Sequence, residues 1–175
     1  MRLALILALC LVTQESIQAE AFLENSNYSK EQVSVEILGT GGYYSFYGSY
    51  RLARNISVNA GGSYFRFVEG LAPAGASKID AFYLPISVSY LMGDDYHYIE
   101  VMGGLTLSLL TGDGQVSRAN RMRETFSSQT VIPEIGVGYR YWPRRGGLTY
   151  RLMGYMLFAS NQTQPWGGLS MGYAF

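Results

Sequence analysis

The 175 residues contain one cysteine, one histidine and little charge. Cys10 is the only thiol and lies near the N-terminus, so the rest of the chain can form no disulfide, thiolate nucleophile or cysteine metal site. His97 is the only imidazole, which leaves a single candidate for any histidine-dependent chemistry. Acidic and basic residues number thirteen each. With no excess of positive charge, nothing invites nucleic acid. Past the N-terminal segment no stretch reaches the ~18 uninterrupted apolar residues of a membrane-crossing helix. If this chain resides in a membrane, it must do so through strands.

The N-terminal segment reads as a secretory leader. Met1-Arg2 is a short basic start, Leu3 to Val12 is an apolar run too short to span a bilayer, and Ala19-Glu20-Ala21 offers a small-residue cleavage site. Residues 1–19 are therefore excluded from the fold, with cleavage after Ala21 as the alternative. A lipoprotein signal at Cys10 is disfavoured because Leu9 occupies a position where a small residue is expected. Residues 20–31 are polar and aperiodic and read as a flexible lead-in, which leaves 32–175 as one domain.

That domain is rich in tyrosine (fifteen) and glycine (twenty-one), and its apolar residues recur with period two, the signature of strands. Val33, Val35 and Ile37 oppose Ser34 and Glu36. After the turn signal Thr40-Gly41-Gly42, Tyr44, Phe46, Tyr50 and Leu52 oppose Ser45, Tyr47, Ser49 and Arg51. Ile56, Val58, Ala60 and Tyr64 oppose Ser57, Asn59, Gly61 and Ser63. From Asp80 to Leu91, Phe82, Leu84, Ile86, Val88 and Tyr90 share a face. Pro85 lies opposite, and its missing ladder donor predicts a bulge or irregularity there. Ile99, Val101, Leu105, Leu107 and Leu109 oppose Tyr98, Glu100, Met102, Thr106 and Ser108. Ile135, Val137, Tyr139 and Tyr141 oppose Glu134, Gly136, Gly138 and Arg140. Leu148, Tyr150, Leu152, Met156 and Phe158 oppose Thr149, Arg151, Met153 and Tyr155. Finally Leu169, Met171, Tyr173 and Phe175 alternate with Gly168, Ser170, Gly172 and Ala174.

This pattern predicts an all-β fold, an eight-stranded antiparallel up-and-down transmembrane β-barrel with lipid outside and a crowded lumen inside. Connections near residues 53, 93 and 144 are short. Those near 40, 73, 118 and 162 lie at the other end and include the two longest, 69–77 and 111–127, an asymmetry expected of such barrels. If Thr40 to Gly42 is only a bulge in one long strand, the count falls to seven and this topology fails.

Several segments resemble a family of uncharacterised outer-membrane barrel proteins of Bacteroidetes type: Val33-Ser-Val-Glu-Ile-Leu-Gly39, Tyr44-Ser-Phe-Tyr-Gly-Ser-Tyr-Arg51, His97-Tyr-Ile-Glu-Val-Met-Gly103, Gly138-Tyr-Arg-Tyr141, Gly146-Gly-Leu-Thr-Tyr-Arg151 and Pro165-Trp-Gly-Gly-Leu-Ser-Met-Gly-Tyr-Ala-Phe175. The ending also resembles the terminal strand of bacterial outer-membrane barrels, which closes on Phe with an aromatic two residues earlier. That resemblance implies that Tyr173 and Phe175 are read by the barrel-assembly machinery. It implies a location in the Gram-negative outer membrane, in contact with its lipid, but lends no activity.

Six charged residues fall on the inward parity: Glu36, Arg51, Glu100, Glu134, Arg140 and Arg151. An arginine facing lipid near the midplane costs ~2–4 kcal/mol, and a buried unpaired charge is dearer still. The three acids are therefore expected to pair with the three arginines in a structural polar core. A proton or ion path and a catalytic carboxylate pair are the rival readings. His97 sits beside the short turn after Asp94-Asp95 and reads as interfacial, at the wrong end for an outer-leaflet lipid-modifying enzyme. Met102, Met153 and Met156 read as packing. Arg118, Arg121 and Arg123 form a basic cluster on the longest outer connection, solvated or touching lipid phosphates. The Asn27, Asn55 and Asn161 glycosylation patterns carry no meaning in a bacterial barrel.

The expectation is a monomeric barrel with a structural or surface-interaction role and with no catalytic, cofactor or metal residues. The alternatives are a narrow ion or small-solute channel and, behind it, an outer-membrane lipid-modifying enzyme. Deleting Phe175 should lower the amount of assembled barrel in membranes more than it lowers the unfolding midpoint of barrel already folded. Normal membrane levels of the truncated chain, read by immunoblot, would contradict this.

Overall fold

The computed structural model describes residues 28–68, 76–94, 96–115, 123–159 and 162–175; the leader at 1–19 and both its cleavage sites lie outside them. Eight strands are formed among these residues: β1 (Glu31–Ile37), β2 (Tyr44–Ala53), β3 (Ile56–Val68), β4 (Ala76–Asp94), β5 (His97–Gln115), β6 (Arg123–Tyr141), β7 (Gly147–Ala159) and β8 (Gln162–Ala174). Each pairs antiparallel with the next, and β8 closes onto β1 from Gln32↔Ala174 to Ile37↔Leu169. Closure leaves no full-length sheet edge to invite aggregation.

Residues 40–42 form a true hairpin. β1 and β2 pair from Glu31↔Tyr50 to Ile37↔Tyr44, and the turn is held by Leu38 N–H to Tyr43 O and Gly42 N–H to Gly39 O, both 3.0 Å. The turn folds inward, burying Gly39, Thr40 and Gly41, and Thr40 Oγ1 lies 2.6 Å from the Tyr47 hydroxyl. This close approach requires glycine, because a Cβ on Gly39 would fall 1.6 Å from Glu36 Oε2.

The outer face is apolar over a defined height. Phe82 to Met92 on β4, Ile99 to Leu109 on β5, Val131 to Tyr141 on β6 and Leu148 to Phe158 on β7 carry no charge at any outward position. Ten residue steps on a tilted strand rise ~25 Å, the height of the apolar band on a membrane barrel. Aromatic residues gather at both margins. Tyr96, His97, Tyr139, Tyr141 and Tyr150 cluster at one end, with Tyr141 6.4 Å from Tyr96 and 6.0 Å from Tyr150. Tyr43, Tyr44 and Phe65 cluster at the other. Beyond Phe82 the outward face turns polar, where Arg66 Nε meets Asp80 Oδ1 at 2.7 Å.

Three expectations need correction. Of the bulge or irregularity expected at Pro85, no bulge forms: Pro85 pairs with Thr106 in a β4–β5 register unbroken from Lys78 to Asp94. On the β3 side the ladder lapses at Gly61 and Gly62 and resumes in the same register, between Ala60↔Ile86 and Ser63↔Tyr83. A missing N–H removes a ladder bond without adding a residue. The stretches 69–77, 111–127 and 160–165 are shorter as loops than expected. β4 starts at Ala76, β5 continues to Gln115, β6 starts at Arg123 and β8 starts at Gln162. The backbone ladder continues where the hydrophobic period of the sequence has gone. The barrel is consequently tall along β4, β5 and β6, at 19 residues each, and low along β1, at seven. Lastly, the described end of the 20–31 lead-in is fixed. Tyr28 and Ser29 are buried, and Glu31 opens β1, because backbone and hydroxyl groups of this segment find partners across the barrel end.

Gly39→Ala should destabilise the barrel by ~1–3 kcal/mol, the usual range for overpacking, because turn and carboxylate would have to separate. Gly48→Ala, whose Cβ meets nothing within 4 Å, should be near neutral. Urea unfolding of the detergent-folded protein compares the two directly.

Candidate functional site: a charged lumen capped at both ends

The lumen is built by the inward parity of the strands, and it buries all six charged residues singled out by sequence. Glu36, Arg51 and Glu100 are 0% exposed, Arg140 1%, Glu134 2% and Arg151 4%. Serine, threonine and glycine occupy most positions around them, which leaves room for long charged side chains to cross.

Arg151 on β7 is the hub. Its Nε and Nη2 grip Glu100 on β5 at 2.9 and 3.0 Å, a two-point carboxylate contact. Its Nη1 reaches Glu36 on β1 at 3.3 Å and the Tyr155 hydroxyl at 3.1 Å. Tyr155 in turn donates to Glu36 Oε1 at 2.6 Å. One guanidinium thus joins three strands across the barrel.

Arg140 on β6 reaches the opposite wall. It lies 3.5 Å from Glu100 Oε1. It donates to Ser49 Oγ at 2.9 Å and Ser57 Oγ at 3.3 Å, and to Asn59 Oδ1 from both terminal nitrogens at 3.2 and 3.3 Å. Asn59 passes its own donors to Ser87 and Ser89, and Ser89 donates to Glu100 Oε1 at 2.5 Å. The circuit returns to the carboxylate where it began.

The expected matching of three acids to three arginines is not what forms. Arg151 takes two carboxylates and shares one of them with Arg140. Glu134 makes no ion pair among the described residues and accepts from Thr106 Oγ1 at 3.0 Å. Arg51 makes none either. It lies over Trp142 at 4.3 Å, Tyr98 at 5.1 Å and Tyr28 at 5.7 Å from the ring centroids, with one 3.4 Å bond to the Tyr98 hydroxyl. Aromatic faces carry the negative end of the ring quadrupole and can hold a desolvated guanidinium. Sequence reasoning missed this cage. Trp142 had a usable signal in its inward parity at the end of β6, whereas Tyr28 lies in an aperiodic segment that shows none.

The same cage caps the end of the barrel with short turns. Trp142 Nε1 donates to Ser29 Oγ at 2.9 Å, Ser29 Oγ donates to Pro143 O at 2.7 Å, and Arg144 donates to the Tyr28 hydroxyl. Arg140 also lies over Trp142, at 4.6 Å. The opposite end is covered by the inward turn at Gly39 to Gly41.

The remaining candidates are placed apart from this core. His97 is exposed, with Nδ1 2.6 Å from the Tyr139 hydroxyl, in the aromatic margin. Met102 and Met153 pack with Tyr155 and Leu157. Tyr173 and Phe175 are exposed, their rings 5.3 Å apart. Arg118 and Arg121 lie outside the described residues, and of Arg123 only the backbone is described. No group of three metal-ligating side chains occurs among the described residues.

Fold and lumen define a small closed antiparallel barrel, polar within and apolar without. The N-terminal β-barrel domain of Pseudomonas aeruginosa OprF has this architecture; it aligns with a TM-score of 0.58 at 14% identity, over 86% of this chain and 98% of that one. Ail, the attachment invasion locus protein of Yersinia pestis, aligns with a TM-score of 0.44 at 9% identity, over 83% and 97%. At these identities the likeness is one of fold. No protein-family model matches the chain, and no curated protein is similar to it in sequence.

Arg151→Met strands two buried carboxylates and should cost ~3–5 kcal/mol. Arg51→Met leaves no carboxylate behind and should cost less, ~1–2 kcal/mol. Adding Glu100→Gln to Arg151→Met should cost less than the sum of the single losses, which a double-mutant cycle reads. Equal losses at Arg51 and Arg151 would contradict this hierarchy.

Proposed function

We propose that this chain is an outer-membrane β-barrel of a Gram-negative bacterium, delivered by its 1–19 leader, with a structural or surface-interaction role and no catalytic activity. The observation that carries the reading is the filled lumen: Arg140 and Arg151 bridge the walls through Glu36 and Glu100, with an aromatic cap below and an inward turn above. Eight-stranded barrels have interiors just wide enough for side chains to fill. An apolar belt of bilayer height with aromatic margins supports residence in lipid. In this reading the end with short turns and Phe175 is periplasmic. Tyr173 and Phe175 are the mark read by the barrel-assembly machinery, the folded protein is a monomer, and its relatives are the small Bacteroidetes-type barrels. His97, the chain's one histidine, sits at the periplasmic margin in this reading, which weighs against a histidine-dependent lipid-modifying enzyme facing the outer leaflet.

A narrow channel is the second reading, and one observation favours it. Glu36 Oε2, Glu134 Oε1, Arg51 Nε and Nη2, and Arg140 Nε are buried with no hydrogen-bond partner among the protein atoms. Buried polar atoms of this kind are commonly served by water, and a continuous file of water past them would conduct.

Two measurements test the primary reading. The native protein should fractionate with outer membranes and migrate faster on a gel before heating than after. In planar bilayers it should show no steady conductance. Recovery from the soluble periplasm would remove the membrane assignment, and reproducible single-channel steps would raise the channel above the structural role.

A further inference from the structure

We propose that the seam between β1 and β8 is a fixed binding site for one acyl chain of an outer-leaflet lipid, an inference that rests on the outer-membrane reading. Pairing of β1 with β8 stops at Ile37↔Leu169, yet β8 continues up the wall to Gln162. Above that point β8 lacks a β1 neighbour, and the wall is notched on the side where it is lowest.

The notch is a hollow of about 480 Å³ bounded by Leu38, Leu152, Met153, Trp166, Gly167 and Gly168, among others. It wraps around the free edge of β8. Leu152 and Gly167 belong to the outward parity, while Met153, Trp166 and Gly168 belong to the lumen parity. The two glycines leave its floor bare, and a Cβ on Gly168 would lie 2.9 Å from Glu36 Oε1. Leu38 has φ 57°, the only positive value outside glycine among the described residues. That conformation is unfavourable for an L-residue, and here it sends an apolar side chain, 48% exposed, onto the notch.

A second hollow of about 400 Å³, bounded by Val35, Phe46, Leu148, Met171 and Tyr173, lies lower on the same seam, nearer the end with short turns, and shares no bounding residue with the notch. The notch by itself forms a short trough suited to the end of a hydrocarbon chain. The trough is continuous with the lipid-facing belt, and its bounding side chains are overwhelmingly hydrocarbon. A polar ligand would lose its hydration there without compensation; an alkyl chain has no polar group to satisfy.

Trp142→Phe leaves Trp166 as the sole indole, since the chain has two tryptophans. Its fluorescence is then followed in bilayers containing rising fractions of a phospholipid brominated along its acyl chain. The expected result is a saturable quenching component at low mole fraction, superimposed on the gradual quenching caused by bulk lipid. Gly167→Leu, whose Cβ has room with Met153 O 3.6 Å away, should fill the notch and abolish the saturable component while keeping the gradual one. Gly103→Leu, on the far wall with nothing within 4 Å of its Cβ, should change neither. Each variant is first checked for the heat-modifiable folded form. Should Gly167→Leu fail to fold, Leu38→Gly removes one wall of the notch and should weaken the saturable component. Purely gradual quenching in the parent protein, or a saturable component unchanged in the notch variants, overturns the proposal. So does concentration-dependent cross-linking through Leu38→Cys that shows a second copy seated on the seam. No quenching at any lipid fraction overturns the outer-membrane reading and the acyl site with it.

Discussion

The two-point contact between Arg151 and Glu100 is the interaction on which the interior depends. Both side chains are out of reach of solvent, where desolvation of each ion is repaid only by close geometry and by partners for the remaining polar atoms. The barrel meets that demand with an almost complete circuit. Tyr155 and Glu36 close it on one side, and Arg140, Asn59 and Ser89 close it on the other. The small residues at neighbouring inward positions follow from the same demand, since a larger side chain at Gly138 or Gly136 would collide with Met153 or Tyr155.

Arg51 illustrates a second way of holding a buried cation. Its surroundings are rings and not carboxylates, and these rings double as the stopper of the end with short turns. The cap links a strand terminus (Trp142), a turn (Pro143 and Arg144) and the segment before β1 (Tyr28 and Ser29). Its stability therefore reports on two segments more than a hundred residues apart. The opposite end is closed by a turn whose glycines permit the backbone to rest on the Glu36 carboxylate. Such a barrel has a rigid middle and covers at both mouths made of short local segments.

Outside, the height of the wall is uneven. β4, β5 and β6 rise well beyond the apolar belt, while β1 ends within it. The tall side carries strands of 19 residues each, with the Arg66–Asp80 contact above Phe82. The low side leaves the notch beside Trp166, where one glycine, Gly168, separates the outer surface from the Glu36 carboxylate.

Period two, uncharged outward positions and the ending on Phe175 were sufficient for the fold class, the strand count and the inward placement of all six charges. Those features are local: each strand sorts its own residues between two faces, and one misplaced charge in lipid would be costly enough to leave a clear mark. The hairpin at residues 40–42 was also visible as a glycine signal, though only its pairing separated it from a bulge. Partner choice inside the lumen was not legible. Which acid meets Arg151 depends on how strands far apart in sequence are staggered once β8 closes on β1, and no local pattern encodes that stagger. Strand ends above the belt were read as loops because the ladder there is held by backbone alone. The aromatic cage around Arg51 and the notch at Ile37 likewise exist only in the closed barrel, where a polar lead-in meets a distant turn and a short strand stands beside a long one. Sequence therefore decided which face each residue takes, because burial acts residue by residue; tertiary structure decided which residues meet, because closure sets distances between residues more than a hundred positions apart.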